Sequence, residues 1–401
     1  MSNPAPPKLL ELAAHSLLSN EASALPALEE FTIDLFPPLL TAAFARGHKK
    51  ALKALVQAWP FPFLRLGSLI VQWPNQDSLQ AVLDGLGNSS APSACPSLLT
   101  KVERSHGSLR LCCRKLHIEE MPFNSLIGIL KTLELDFIQE LEVFDWFRAL
   151  SEQSLFATQL GRICNLRSLK LAYYHWTFPP EGEQSSSCFL SQLSKLGHLQ
   201  KLHLSYSYLS GNLHQVLRCL QAPLHALEIR SCTLLDTDIT YLSQSLHATC
   251  LRKLDLSGNN LSYMVPGPLE TLLAKISGTL QHLDLNHCRL KDSHLSAILP
   301  ALCLCSHLGS LGLSDNPVSR AGLLSLLEHT AGLMELKRVL YPIPIECCMY
   351  LHGLSWGPVN KGRLCQVQAE MQRLLQAVQR ADMQWSPPLP SPLPVRLVQL
   401  D

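Results

Sequence analysis

Three acidic residues, Glu228, Asp255 and Asp284, recur at spacings of 27 and 29 residues. Two carboxylates held a few ångströms apart could supply the acid and the base of a hydrolytic reaction. In this chain each of the three stands between two apolar positions of a repeated unit, both leucine around Asp255 and Asp284 and Leu227 and Ile229 around Glu228, where it should lie on an open sheet face. Because an open face does not exclude water, the sequence favours a binding surface over a catalytic pair.

A second group with possible chemistry is Cys303-x-Cys305, with His307 nearby. A zinc site needs a second ligand pair at a comparable spacing, and the sequence offers none. It also has no Walker loop, no G-x-S-x-G turn and no G-x-G-x-x-G turn after a strand. We therefore expect a protein that is not an enzyme and that uses no cofactor or metal.

The unit that positions these residues is clearest at 251–261, which reads LRKLDLSGNNL. It matches the leucine-rich-repeat template L-x-x-L-x-L-x-x-N/C-x-L at every specified position. The steps between repeats are 25 to 33 residues, long enough for a helix in each repeat. The sequence predicts an α/β leucine-rich-repeat horseshoe, a solenoid with an inner parallel sheet and outer helices, preceded by an N-terminal helical region. The first template position is filled by Ile138, Leu166, Leu199, Leu224, Leu251, Leu280, Leu308 and Leu333.

Small polar residues fill the N/C position of four successive repeats: Cys232, Asn259, Cys288 and Asn316. Side chains of this kind can bond to the turn backbone where each repeat bends away from its strand. We therefore expect these cysteines to be structural.

The exposed strand positions form a candidate partner face on the concave side of the sheet. Two interpretations stay open, because the acidic row could read a basic segment of a partner or be neutralised by cations such as Lys201 and Arg230 on neighbouring strands. The residues of this face are Lys170, His203, Glu228, Lys253, Asp255, His282 and Asp284.

Changes in pattern divide the chain. Residues 1–86 show helical spacing with prolines at the corners, and 87–108 form a linker whose first part is rich in Gly, Ser and Pro. Residues 109–345 are the repeat array, and 346–385 are a C-terminal cap with an amphipathic helix at 363–381. A proline-rich tail occupies 386–401.

The length, charge balance and cysteine content of the chain limit the class of protein. The 401 residues include 33 Lys and Arg against 32 Asp and Glu, so no global field attracts nucleic acid or an anionic membrane. No apolar run approaches the roughly 18 residues of a spanning helix. The N-terminal stretch lacks the pattern of a signal peptide, so we expect the 14 cysteines to be reduced. A cytoplasmic or nuclear protein that binds neither nucleic acid nor membrane follows.

Several short sequence segments, in the order and at the spacing in which they occur here, resemble those of the PRAME family, named for the preferentially expressed antigen in melanoma. The resemblance covers about residues 8–385, although family members usually carry a longer segment between the VLDGL and LRLCC phrases. The phrases are LLELAAHSLL at 9–18, LFPPLLTAAF at 35–44, LKALVQAWPF at 52–61, SLQAVLDGL at 78–86, LRLCCRKL at 109–116 and VLYPIP at 339–344.

This resemblance implies a binding protein. Members look like substrate receptors of cullin-2 RING ubiquitin ligases, recruited through elongin B and C, and are linked to repression of nuclear-receptor transcription, differentiation and apoptosis. Leu10, Ala14 and Leu18 match the family's elongin-binding pattern and share one helical face. The concave repeat face would then hold an unknown protein substrate.

The family's cullin-selecting stretch resembles 31–39, with Phe31, Leu35 and Leu39 in the apolar positions and Thr32 in place of a proline. The alternative for these residues, as for the elongin motif, is that the helices simply pack on the first repeat.

Two further functions remain open. A corepressor without ligase activity could occupy nuclear receptors through the L-x-x-L-L segments 269–273 and 323–327, although core packing accounts better for those leucines. A plain scaffold or inhibitor could use the horseshoe alone.

Overall fold

The computed structural model describes residues 9–18, 31–60, 63–65, 76–85, 100–105, 108–119, 127, 130, 133–144, 150–174, 178, 188–351 and 355–387. These residues belong to two compact units. The first unit is Met1–Ala172 with Ser185–Leu199, and the second is Tyr173–Gln184 with Gln200–Asp401.

The first unit begins with the predicted helices. Each packs against the next: α1 on α2, α2 on α3 and α3 on α4. The first turn of α2 contains two prolines, which have no backbone N–H. The helix loses no hydrogen bond there, because N–H groups in a first turn have no partner within the helix. The helix ends at Gly47, whose φ of 72° suits a left-handed cap. The helices are α1 (Leu9–Leu18), α2 (Phe36–Arg46), α3 (Lys49–Gln57) and α4 (Gln76–Gly85).

An antiparallel sheet combines one strand between α3 and α4 with two strands after α4, and it corrects two expectations. Its strands are β1 (Phe63–Arg65), β2 (Thr100–Ser105) and β3 (Ser108–Cys113), with β2 in the middle. The prediction of a linker over 87–108 is therefore wrong at 100–105 and at 108, whereas 87–99 and 106–107 lie outside the described residues. The start of the predicted repeat array, which begins at 109, also differs from the expectation, because β3 and the next strand separate at Arg114 and join different sheets.

The repeat array starts at β4 (Lys115–Glu119), six residues later than the predicted 109. It pairs in parallel with β5 (Glu140–Phe144), which pairs in parallel with β6 (Ser168–Ala172). The first unit also contains α5 (Leu150–Leu160) and α6 (Cys188–Leu193).

The second unit repeats strand, turn and helix. Its parallel strands are ordered β7, β8, β9, β10, β11 and β12, with template leucines such as Leu227, Leu254 and Leu283 in register and buried. This arrangement confirms the α/β leucine-rich-repeat solenoid. The strands are β7 (Lys201–Ser205), β8 (Ala226–Arg230), β9 (Lys253–Asp255), β10 (His282–Asp284), β11 (Ser310–Gly312) and β12 (Arg338–Leu340). The helices are α7 (Leu213–Cys219), α8 (Asp236–Gln244), α9 (Pro266–Ile276), α10 (Asp292–Cys303) and α11 (Arg320–Thr330).

The N/C residues tie neighbouring turns together as expected. The Asn259 amide oxygen accepts the Cys232 N–H at 2.9 Å, and its amide nitrogen donates to the carbonyls of Ile229 and Leu256 at 2.7 Å each. The Cys288 thiol donates to the Leu256 carbonyl at 3.3 Å. Burial raises the pKa of the Cys232 and Cys288 thiols to about 12, so both stay protonated in their structural role.

The C-terminal end contains the predicted amphipathic helix and two features that were missed. The helix is α12 (Lys361–Ala377), and it packs against α11. A hairpin of β13 (Cys348–Leu351) and β14 (Ser355–Val359) precedes it, and β15 (Gln384–Ser386) then adds in parallel beside β12. Ser386 is therefore part of the sheet and not of the predicted tail, whose residues 388–401 lie outside the described part.

Candidate partner-binding surfaces

Four of the predicted concave residues meet in a network on β7, β8 and β9. Glu228 accepts hydrogen bonds from His203 at 2.7 Å and from the Lys253 ammonium at 2.6 Å. Arg230, two residues after Glu228 on the same strand, reaches the Asp255 carboxylate at 2.6 Å and Glu228 at 3.1 Å. The network therefore neutralises two carboxylates with cations from neighbouring strands, which is the second of the two interpretations.

This network corrects the expectation that Asp255 is exposed. Asp255 is only 1% exposed, because Arg230 covers its carboxylate and the Ser257 N–H donates to its other oxygen at 2.9 Å. Arg230 keeps 43% of its own side chain exposed. In this part of the face a partner therefore meets guanidinium and ammonium groups before it meets the acidic row.

The pKa values of Glu228 and Asp284 are shifted in opposite directions. Burial opposes ionisation of Glu228, but hydrogen bonds from His203 and Lys253 outweigh it and lower the pKa to about 2. Burial and the neighbouring charge of Asp255 instead raise the pKa of Asp284. Asp284 has no ion pair within the described residues and bonds only weakly to the Asn286 amide at 3.4 Å.

Asp284 fits the sheet because the next strand has a glycine beside it. A Cβ at Gly312 would lie 2.3 Å from an Asp284 carboxylate oxygen, so any side chain there would collide with it. His282 lies on the same strand, beside Lys253 in the register, and is half-buried.

Lys170, the remaining concave residue, belongs to the first unit. Its ammonium lies over the Phe144 ring, 4.7 Å from the centroid. Nearby, Glu142 accepts from His117 at 2.9 Å and pairs with Lys115 at 2.8 Å. Sequence reasoning missed this second His–Glu–Lys group, although His117 and Glu142 lie opposite each other on neighbouring strands as His203 and Glu228 do.

The predicted elongin residues lie on a helix, but two of them face the chain itself. Ala14 and Leu18 are buried, and the Leu10 side chain lies outside the described part. The exposed side of α1 instead carries Leu12 and Ala13. Packing within the chain therefore already uses part of the motif, and direct contact of Ala14 and Leu18 with elongin stays a prediction that requires α1 to move away from α2.

The predicted cullin residues lead into α2. Phe31 and Leu35 are half-buried, and Leu39 is buried in the helical core. Sequence reasoning did not single out Ile33, which is more than half exposed between them.

Other predicted constellations have structural roles. The L-x-x-L-L leucines Leu269, Leu272, Leu273, Leu323, Leu326 and Leu327 are all buried, which confirms core packing. The Cys303 thiol donates to the His329 carbonyl, and Cys305 is buried. Among the residues described, no group of three or more His, Cys, Asp or Glu side chains is placed to hold a metal ion. Likewise, no described helix has the length and apolar character that crossing a membrane requires.

Comparison with known proteins identifies the family. The model of the PRAME N-terminal domain matches residues 6–97, and that of the PRAME C-terminal domain matches 95–387. The chain belongs to the PRAME family. Human PRAME family member 12 is 37% identical over 94% of this chain and 91% of its own length. The leucine-rich repeat-containing protein 14 of Xenopus laevis is 40% identical over 70% of this chain and 57% of its own length.

Two solved structures show distant similarity to this PRAME family chain. The yeast Rad7 and Elc1 complex has a TM-score of 0.45 at 14% identity, covering 84% of this chain and 74% of that one. LegL7 of Legionella pneumophila, a leucine-rich repeat-containing protein, has a TM-score of 0.36 at 19% identity, covering 57% and 73%. Neither similarity bears on partners. The family and the repeat fold together indicate a protein-interaction module.

Proposed function

We propose that this protein is a substrate receptor of a cullin-2 RING ubiquitin ligase, held through elongin B and C, with substrate bound by the repeat array. The observation that carries the proposal is α1, which forms over Leu9–Leu18 and so places residues 10, 14 and 18 at helical spacing in a PRAME family chain. Family resemblance supplies the identity of the partners. The leucines of the two L-x-x-L-L segments, 269–273 and 323–327, are buried, which counts against the use of these segments by the nuclear-receptor alternative.

The burial of Ala14 and Leu18 dictates how the proposal is tested. A charge at either position would disrupt the packing of the chain itself, so lost binding would not be informative. We instead change the accessible side of α1 with the double variant Leu12→Arg and Ala13→Arg. The matched control is Leu155→Arg on α5, because Leu12 and Leu155 are 50% and 52% exposed.

The measurement is recovery of elongin C and cullin-2 with the tagged full chain from cells. We expect wild type and Leu155→Arg to recover both proteins, and the double variant to lose both while its thermal unfolding is unchanged. The proposal fails if wild type recovers no elongin C. If the double variant and Leu155→Arg both bind as wild type does, contact through the exposed side of α1 is refuted, and elongin could reach Ala14 and Leu18 only if the helix separates from α2.

A second variant separates the two partners. Ile33 is exposed just before α2, between the predicted cullin residues Phe31 and Leu35. We expect Ile33→Asp to reduce recovery of cullin-2 and leave that of elongin C unchanged. Equal recovery of cullin-2 with wild type and Ile33→Asp would remove this stretch from the proposed interface.

A further inference from the structure

The turns after β7, β8 and β9 expose large apolar side chains along one edge of the sheet. Parallel neighbouring strands place their carboxyl ends at the same edge, so these turns lie side by side. Single exposed apolar residues are ordinary, but a group of them on adjacent repeats marks an interaction surface. Tyr208, Leu235, Val265 and Tyr263 are between 47% and 85% exposed.

Two of these residues occupy positions where stability favours a polar side chain. Leu235 and Val265 are the N-cap residues of α8 and α9, and neither makes a side-chain cap. Ser319 at the N-cap of α11 shows the usual solution, with its hydroxyl accepting the Gly322 N–H at 3.0 Å. A Ser, Thr, Asp or Asn cap stabilises a helix by about 1 kcal/mol over an apolar residue. Helix capping therefore does not explain why Leu235 and Val265 stand there.

In the next repeat, cationic side chains lie along the same edge of the sheet. Arg289 and Lys291 follow β10 and are exposed, and neither forms an ion pair within residues 188–351, which are all described. Lys291 is also the N-cap residue of α10, where the helix dipole disfavours a positive charge. Three successive N-caps, at Leu235, Val265 and Lys291, thus depart from what stabilises the helices.

A shallow apolar pocket opens beside Val265. Met264, Val265 and Leu290 line it together with the His294 ring, between the starts of α9 and α10. Its volume of about 10 Å³ is too small to enclose a side chain, so it contributes only apolar surface beside Val265.

We propose that this edge, defined by Tyr208, Leu235, Tyr263, Val265, Arg289 and Lys291, binds an extended peptide segment of a partner protein that carries an apolar or aromatic residue and, farther along, acidic residues. The exposed apolar turns receive the first part, and Arg289, Lys291 and the start of α10 attract the second. Three strand spacings of roughly 5 Å separate the repeat of Tyr208 from that of Arg289, which corresponds to about five residues of extended chain. The proposal does not depend on the ligase role.

The first test is selection from a random-peptide library displayed on phage, with the immobilised full chain as bait. We expect enriched peptides to combine an apolar or aromatic residue with acidic residues about five positions away. Enrichment of basic peptides, or no enrichment over an uncoated surface, would overturn the proposal.

The second test uses the enriched peptide, fluorescently labelled, and variants that fold at least as well as wild type. Leu235→Ser with Val265→Ser supplies N-cap hydroxyls, so we expect unchanged or higher thermal stability together with roughly tenfold weaker binding. The control is Leu304→Ser, because Leu304 is also exposed but lies at the opposite end of α10. Equal binding by wild type and the double serine variant would refute the proposal.

The charged half of the edge has its own variants. Arg289→Glu with Lys291→Glu should weaken the same peptide roughly tenfold and flatten the dependence of its affinity on salt. Arg252→Glu, at an exposed position before β9, is the matched control. If the chain dimerises in sedimentation and the serine variant is a monomer, the edge serves self-association and the proposal is wrong. Recovery of elongin C by each variant distinguishes this proposal from the ligase role.

Discussion

Replacing Asn259 by alanine tests whether the N/C residues hold the turns of the solenoid. The Asn259 side chain is buried and makes hydrogen bonds to the Cys232 N–H at 2.9 Å and to two carbonyls at 2.7 Å. Asn259→Ala leaves that N–H buried without its acceptor, and an unsatisfied buried group costs about 1–3 kcal/mol. With the loss of the two carbonyl contacts, we expect the free energy of unfolding to fall by about 3 kcal/mol.

Asn259→Cys should cost less, because cysteine fills the same position in the neighbouring repeats. The Cys232 thiol donates to the Arg230 carbonyl at 3.2 Å, so a thiol can replace one donor bond. Sulfur accepts an N–H only weakly, so the Cys232 N–H would remain poorly satisfied. We expect a loss of about 1–2 kcal/mol for this variant.

Urea unfolding followed by far-ultraviolet circular dichroism measures both values. The control is Gln281→Ala, since Gln281 is exposed in the same unit and should change stability by less than about 0.5 kcal/mol. The reasoning is refuted if Asn259→Ala costs less than about 1 kcal/mol, or if the cysteine variant costs as much as the alanine variant.

Three further predictions concern single groups. The pKa of Glu228 is lowered from 4.5 to about 2, so its contribution to stability is full above pH 4.5 and is lost as the pH falls towards 2. We therefore expect the urea unfolding midpoints of wild type and Glu228→Gln to converge over that pH range. Asp238→Ala should cost about 3 kcal/mol in the same assay, because this buried carboxylate accepts three backbone N–H groups between 2.8 and 3.0 Å, and a loss below about 1 kcal/mol would contradict this. Iodoacetamide at pH 8 should label exposed Cys365 in the native protein and leave Cys232 and Cys288 unlabelled, as read by peptide mass spectrometry; rapid labelling of either buried thiol would show that its turn opens.

The sequence predicts the repeat fold well because each repeat carries its own pattern. Leu254 and Leu283 are template leucines, and both are buried in register. The strands that were missed lack such a pattern. β1 and β15 have three residues each, and their pairing with β2 and β12 joins distant parts of the chain. Local periodicity contains no information about such pairs.

The sequence predicted which residues of the candidate site lie side by side, but not their burial or their ion pairs. Alternation along the strands places Glu228 and Asp255 on the exposed face, and the strand register puts them side by side. It does not reveal that Arg230 reaches across to Asp255 and buries that carboxylate. A long side chain can choose among several partners within its reach, so pairing depends on the three-dimensional arrangement and not on spacing alone.

Helix N-caps are the reverse case, where local rules are clear and the chain breaks them. Ser319 follows the rule, whereas Leu235, Val265 and Lys291 depart from it in three adjacent repeats. Proteins tend to depart from local preference where function requires it. If serine at positions 235 and 265 stabilises the fold and does not weaken the binding of any partner, selection for binding does not explain the apolar residues at these two N-caps. A stabler variant that loses its peptide would locate the function of this edge in the residues that folding disfavours.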